Sequence, residues 1–182
     1  KRAISKVDGV IFEDYGKGFI QQGLLDACLR AARRRRTLTF ADPNAYHRLD
    51  YDQLTAITPN RSEAFWMANE TAHDPVAAPL KDKPMLEVGR KILSNTGVQN
   101  LLVTLGEQGM CLVRKGHSPH HIPTAAQEVF DVSGAGDTAI SAFALGLCSG
   151  LDPKMAAHLS NVASGIVVGK AGTATVTTEE LL

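Results

Sequence analysis

The sequence has no excess of charge. Its 19 Lys and Arg offset 19 Asp and Glu over 182 residues. A nucleic-acid groove, a surface for anionic membranes or an acidic tail would each need an imbalance, so none of these partners is expected. Aromatic residues are scarce, at 5%. The single basic run, 33–36, has no stacking platform beside it and reads as the solvated end of a helix, where cations complement the helix dipole. Cysteine is sparse too: Cys28, Cys111 and Cys148 lie far apart with no C-x-x-C spacing. That excludes a disulfide framework and a zinc ribbon, and leaves buried free thiols in a reducing compartment. His120-His121 has no Cys or carboxylate at ligand spacing and reads as a loop or edge-strand pair. No apolar run reaches the ~18 residues of a membrane span, and no secretory signal pattern is present. The cytoplasm is the expected location by elimination.

What remains is ordinary globular material. Hydrophobic residues make up 44% and charged residues 21%, enough for one domain, 1–182, with a real core. The chain opens at Lys1, just before a strand pattern, and reads as a fragment or the ordered part of a longer protein. Strands are expected over 7–12, 37–41, 54–58, 101–105 and 110–114, with further short ones at 120–123 and 128–130. Helical spacing covers 19–35, 62–69, 85–94, 134–148 and 153–168. Gly97 is placed to close the third helix. A Pro-rich connection spans 71–84, Gly106 to Gly109 suggests a hairpin, and a Gly- and Thr-rich tail ends the chain.

Early strands alternate with helices, which predicts an α/β fold with a mostly parallel sheet flanked by helices. Such sheets bind ligands beyond the carboxyl ends of their strands. Five polar or glycine-rich loops should gather on that edge: 13–18, 42–44, 60–63, 106–109 and 131–137.

The last of these is the most informative. Asp131-Val132-Ser133-Gly134-Ala135-Gly136-Asp137-Thr138 lies between a β-prone run and a small, apolar, helix-prone run. A glycine turn opening a helix exposes backbone N–H groups at the positive end of the dipole, a site for an anion. Asp137 places a carboxylate there, where a phosphate would repel it. That cost makes sense if the carboxylate takes a proton from a group attacking the phosphate. The plainer reading is a helix cap on a permissive turn. A third is a dinucleotide fingerprint, since Gly134-x-Gly136-x-x-Ala139 fits G-x-G-x-x-[GA]. That pattern needs an acidic residue ending a second strand. The candidate, Asp152, precedes Pro153 and reads as a helix cap, and too little chain follows.

Asn60 and Glu63 stand three apart at a helix start. Their oxygens suit Mg²⁺, although alone the pair reads first as a capping box. Thr104-x-Gly106-x-x-Gly109 ends an apolar strand and either admits a nucleotide close to the backbone or simply turns a hairpin. Lys170-Ala171-Gly172-Thr173 either holds phosphate or turns the chain. Asp14, Lys17 and Asp42 lie on rim loops where they could meet substrate hydroxyls or phosphate, or face water.

In their order, Asn60-x-x-Glu63, Thr104-x-Gly106-x-x-Gly109 and Asp131-x-Ser133-Gly134-Ala135-Gly136-Asp137 resemble the carboxyl-terminal half of the PfkB (ribokinase-like) carbohydrate kinases. Asp14-Tyr15-Gly16-Lys17-Gly18, Thr58-Pro59-Asn60 and residues 167–176 resemble, within that family, the kinase domain of bacterial D-glycero-β-D-manno-heptose-7-phosphate kinases. The resemblance implies a three-layer α/β/α sandwich and an ATP- and Mg²⁺-dependent kinase acting on a sugar or sugar phosphate, heptose phosphate first. It makes Asp137 the base, and Gly134, Ala135 and Gly136 the anion hole. Asn60 and Glu63 would steer Mg²⁺. Thr104, Gly106, Gly109, Asp131, Asn161, Lys170 and Gly172 would lie near the nucleotide. Two departures stand out. Asn44 follows Asp42-Pro43 where heptose kinases carry lysine, and the amino-terminal half, with its Gly-Gly sugar signature and β-sheet lid, is missing from this chain. A nucleotide-binding remnant or partner-dependent half without activity of its own is therefore the second reading, and a dinucleotide-binding oxidoreductase the third. A homodimer is left open.

Overall fold

The computed structural model describes residues 3–44, 47–126 and 128–181. Six strands form one sheet in sequence order: β1 (Gly9–Glu13), β2 (Leu38–Asp42), β3 (Ala56–Ile57), β4 (Asn100–Thr104), β5 (Met110–Val113) and β6 (His120–Ile122). β1 to β4 run parallel, each reached through a crossover, and β5 and β6 fold back antiparallel. The helices are α1 (Gln22–Arg33), α2 (Arg61–Met67), α3 (Lys83–Thr96), α4 (Ala135–Cys148), α5 (Pro153–Val168) and the short α6 (Thr178–Leu181).

Side chains on a strand point alternately to the two faces of a sheet, and here each face finds its own helices. Ala41, Ile57, Leu101 and Val103 join Leu25, Phe65, Met85 and Ile92 from α1, α2 and α3 in one core. Their neighbours Phe40, Ala56, Leu102 and Leu112 join Ile140, Phe143, Ala156 and Ala157 from α4 and α5 in the other. Burial on both faces explains why these strands read as apolar runs rather than as apolar–polar alternation. The expected three-layer sandwich is what forms. The cysteines are unpaired, Cys111 being buried and the other two half-buried. Among the described residues no helix is long and apolar enough to cross a membrane.

Local signals set the element ends. Gly97 closes α3 in the left-handed region, at φ 66°, and Asp152 caps α5 by accepting from the Lys154 N–H at 2.9 Å. Gly109 turns the β4–β5 hairpin at φ 83°, where a Cβ would sit 2.1 Å from the Ile122 carbonyl oxygen. No other residue fits that site.

Two expectations fail. No strand forms over 128–130: Val129 and Phe130 are exposed, at 60% and 77%. The N–H groups of Phe130 and Asp131 both donate to the Val168 carbonyl, at 2.7 and 3.1 Å, so the segment is tied to the end of α5 and makes no ladder. The third strand shrinks to Ala56–Ile57. Beyond it, the Thr58 N–H still reaches the Ala41 carbonyl at 3.1 Å before Pro59 ends the run.

Candidate active site

The carboxyl ends of β1 to β4 form the rim that the parallel order predicts. Parallel register sets Glu13 on β1 opposite Asp42 on β2. Asp137, in the first turn of α4, brings a third carboxylate, and oxygens of all three lie within 4.8 Å of one another. Burial pushes the Glu13 carboxyl up to about 7, helped by the charges of Asp42 and Asp137. Burial likewise lifts Asp42 to about 7, with Glu63 adding to the effect and a 3.1 Å hydrogen bond from the Thr58 hydroxyl opposing it. Asp137 is half-exposed, turned to the rim and not into the core. The Tyr15 hydroxyl donates to its Oδ2 at 3.0 Å.

α4 begins without a side-chain cap. Its N-cap is Gly134, held at φ 80°. The Ala135 N–H is used locally, donating to the Val132 carbonyl at 3.2 Å. Among the described residues no hydrogen bond takes the N–H of Gly136 or Asp137. Two free donors at the positive end of a 14-residue helix make an anion site.

That helix tip lies between two cavities. One, of about 330 Å³, is lined by Thr104, Gly106 and Gly109 from the hairpin, Ala135 and Gly136 from α4, and Asn161 and Ser164 from α5. Asn161 is buried and oriented by donating from Nδ2 to the Pro123 carbonyl at 2.8 Å. The other, of about 480 Å³, is lined by Gly134, Asp137, Thr138 and Ser141 on one side and the tail from Thr173 to Thr178 on the other.

At the start of α2 the capping box is complete. The Glu63 N–H donates to Asn60 Oδ1 at 3.0 Å, and the Asn60 N–H to Glu63 Oε2 at 2.8 Å. An isolated bridge joins Asn60 to Thr104, so this pair borders the hairpin loop. Burial holds the Glu63 carboxyl above the usual range. Each of these oxygens keeps a lone pair, and hard oxygen donors at a phosphate site fit Mg²⁺.

Five other candidates, Asp14, Lys17, Asp131, Lys170 and Gly172, lie outside the lining of the smaller cavity. Asp14 is buried and braces its own loop, accepting from the Gly16 N–H at 2.9 Å and bonding His47 Nδ1 at 2.7 Å. Lys170 ties down the tail, donating to the Thr175 carbonyl at 2.7 Å and pairing with Glu180. Asp131 accepts from the N–H groups of Ser133 and Gly172, at 2.9 and 3.2 Å, and so joins the glycine turn to the tail. Those donors hold its carboxyl below the usual range, Ser133 foremost. Neither Lys170 nor Gly172 lines the smaller cavity. Lys17 is exposed. Glu13 and Tyr15 were missed. No sequence signal marked Glu13, which was expected to open the loop 13–18 and instead ends β1.

The pfkB family of carbohydrate kinases matches residues 14–180. The chain belongs to that family. "Bifunctional protein HldE" of Mesorhizobium japonicum is 40% identical over 181 residues, all of this chain and 35% of the relative. The protein of the same name from Haemophilus influenzae is 38% identical over 179 residues, 98% of this chain and 36% of the relative. Ribokinase from Thermotoga maritima superposes with a TM-score of 0.78 at 24% identity, over 99% of this chain and 57% of that one. Phosphofructokinase-2 from Escherichia coli, in complex with substrates and products, does so with a TM-score of 0.78 at 13% identity, over 99% and 58%. The chain thus spans about a third of the curated relatives it matches and a little over half of the solved structures. It carries the mostly parallel sheet flanked by helices that this fold shares.

Proposed function

We propose that this chain is the base- and nucleotide-bearing part of an ATP- and Mg²⁺-dependent kinase that phosphorylates an alcohol of a sugar or sugar phosphate, with a heptose phosphate as first candidate. One observation carries the reading: Asp137 stands at an uncapped helix start whose Gly136 lines the same cavity as Thr104, Gly106 and Gly109.

In this reading the nucleotide lies in the smaller cavity with its phosphates toward α4. Asp137 accepts the proton of the sugar hydroxyl as that oxygen attacks the γ-phosphorus and ADP leaves. The free N–H groups of Gly136 and Asp137, with Gly134 and Ala135 shaping the turn, meet the charge developing on the transferred group. Asn60 and Glu63 would hold Mg²⁺, which neutralises phosphate charge. Tyr15 fixes one oxygen of Asp137 and leaves the other for the substrate. Asp42 and Lys17 stand on the acceptor side, while Asp14, Asp131 and Lys170 shape loops. HldE as the name of the matching relatives and the Asp14-to-Gly18 segment support the heptose choice.

A second reading, a nucleotide-binding half that needs a partner for turnover, has its own support. β1 ends the sheet among the described residues, with Val10 and Ile11 only half-buried, and Asp137 is open to water. Phosphoryl transfer requires that water be excluded. A coupled ADP-release assay over a panel of sugars and sugar phosphates separates the two. Release stimulated by one sugar supports the enzyme. ATP binding without stimulation by any sugar supports the half-site.

A further inference from the structure

His120 on β6 and His158 on α5 face each other on the flank of the molecule, away from the carboxylate rim. Their Nε2 atoms are 3.2 Å apart, and the rings tilt at 59° with centroids 5.4 Å apart. Two imidazole nitrogens sharing one tetrahedral metal ion, each bonded at about 2.0–2.1 Å, lie about 3.3 Å from each other. Without an ion the two nitrogens share a hydrogen bond, so the proton on one Nε2 must move to that ring's Nδ1 before an ion binds, while the separation of the rings changes little. Both rings reach solvent, His158 being exposed and His120 half-buried. The neighbouring charges are Lys154 in the first turn of α5 and Asp152 at its N-cap, and His121 is the other titratable neighbour. Burial, then Lys154, then the other two histidines lower the pKa of His120 and so keep its ring neutral, the form that binds metal. His121 is engaged elsewhere, through Nε2 to the Gln108 carbonyl at 2.6 Å.

We infer that His120 and His158 form a two-histidine site for a borderline transition-metal cation, Zn²⁺ being the probe of choice, that staples edge strand β6 to α5. The place gives the site a consequence. β6 runs directly into Pro123, whose carbonyl holds Asn161, and into Thr124, which lines the nucleotide-side cavity with Asn161 and Ser164. An ion bridging the two histidines would fix that wall of the cavity.

Calorimetric titration of the nucleotide-free chain with Zn²⁺ in a non-chelating buffer tests this. At about pH 7.5 one ion should bind with a dissociation constant on the order of micromolar, weaker than four-ligand structural sites. The binding should weaken as pH is lowered, because ligation needs the neutral imidazole. His120→Ala and His158→Ala should each weaken it at least tenfold, with far-UV circular dichroism unchanged, whereas Glu13→Gln at the distant rim should leave it intact. The two variants lie on different elements, so a folding fault in one leaves the other decisive. Isotherms unchanged in either histidine variant, or no site in the parent chain tighter than millimolar, overturn the inference.

Discussion

Two helix starts on the same rim treat their carboxylates in opposite ways. At α2, Asn60 and Glu63 close on each other, and both terminal donors are satisfied from within. At α4, Gly134 offers no side-chain cap, Asp137 faces outward, and the Gly136 and Asp137 N–H groups have no partner among the described residues. A capped start stabilises a helix by about 1 kcal/mol over an uncapped one. Forgoing that at α4, with a carboxylate crowded against Glu13 and Asp42, costs stability where a fold alone would gain it. A start of the first kind is explained by folding. A start of the second kind calls for something that arrives from outside.

The largest effect expected from this contrast is at Asp137. Asp137→Asn should lower sugar-dependent ADP release by about 10²- to 10⁴-fold with nucleotide affinity within a factor of a few. Equal rates for variant and parent would leave α4 with no more chemistry than α2. Next comes the hairpin facing both starts. Gly109→Ala forces a Cβ against the Ile122 carbonyl at a left-handed φ. It should cost roughly 2–4 kcal/mol in urea unfolding. An unfolding midpoint equal to the parent's would contradict the close approach.

Asn60→Ala sharpens the comparison from the other side. As a cap it should cost about 0.5–2 kcal/mol. If Asn60 also steers Mg²⁺, the Mg²⁺ concentration needed for half-maximal ATP binding should rise beyond what that stability loss explains. A variant that loses stability alone reduces α2 to a cap. The smallest effect is the pH slope. Glu13 and Asp42 both hold protons more tightly folded, at about 7, than their ordinary values of 4.5 and 3.8. The folded chain therefore binds more protons between those limits, so stability is fully present below the ordinary values and is lost as pH rises through about 7. Urea midpoints at about pH 5 and about pH 8 should differ in that direction, and Glu13→Gln should flatten the difference. A midpoint that rises with pH in the parent would remove the crowded-carboxylate account.

Much of this contrast was legible in the sequence, because its signals are local. Asn60-x-x-Glu63 announces a capping box, and Gly134-Ala135-Gly136-Asp137 announces a glycine-opened helix start. The alternation of strands with helices was enough to place the loops on one edge. Glu13 was not legible. As the last residue of an apolar run it reads as solvated, and only the parallel register that sets it against Asp42 buries it. Tyr15 meets Asp137 across 122 positions, a distance no periodicity encodes. Val129 and Phe130 misled for the converse reason: their β-prone side chains found no neighbouring strand, and the Val168 carbonyl took the Phe130 N–H instead. Lys170 to Thr173 read equally as a phosphate segment or a chain turn, and the choice depends on Glu180, ten residues further along the tail, which pairs with Lys170.

The central claim is that the open end of α4 receives the phosphates. Backbone amide resonances of the isotopically labelled chain, followed while ATP and Mg²⁺ are added, test it without requiring turnover. The account predicts the largest shifts at Gly136 and Asp137, accompanied by Thr104 and Gly106. Shifts that leave Gly136 and Asp137 unmoved while the nucleotide binds elsewhere would contradict it.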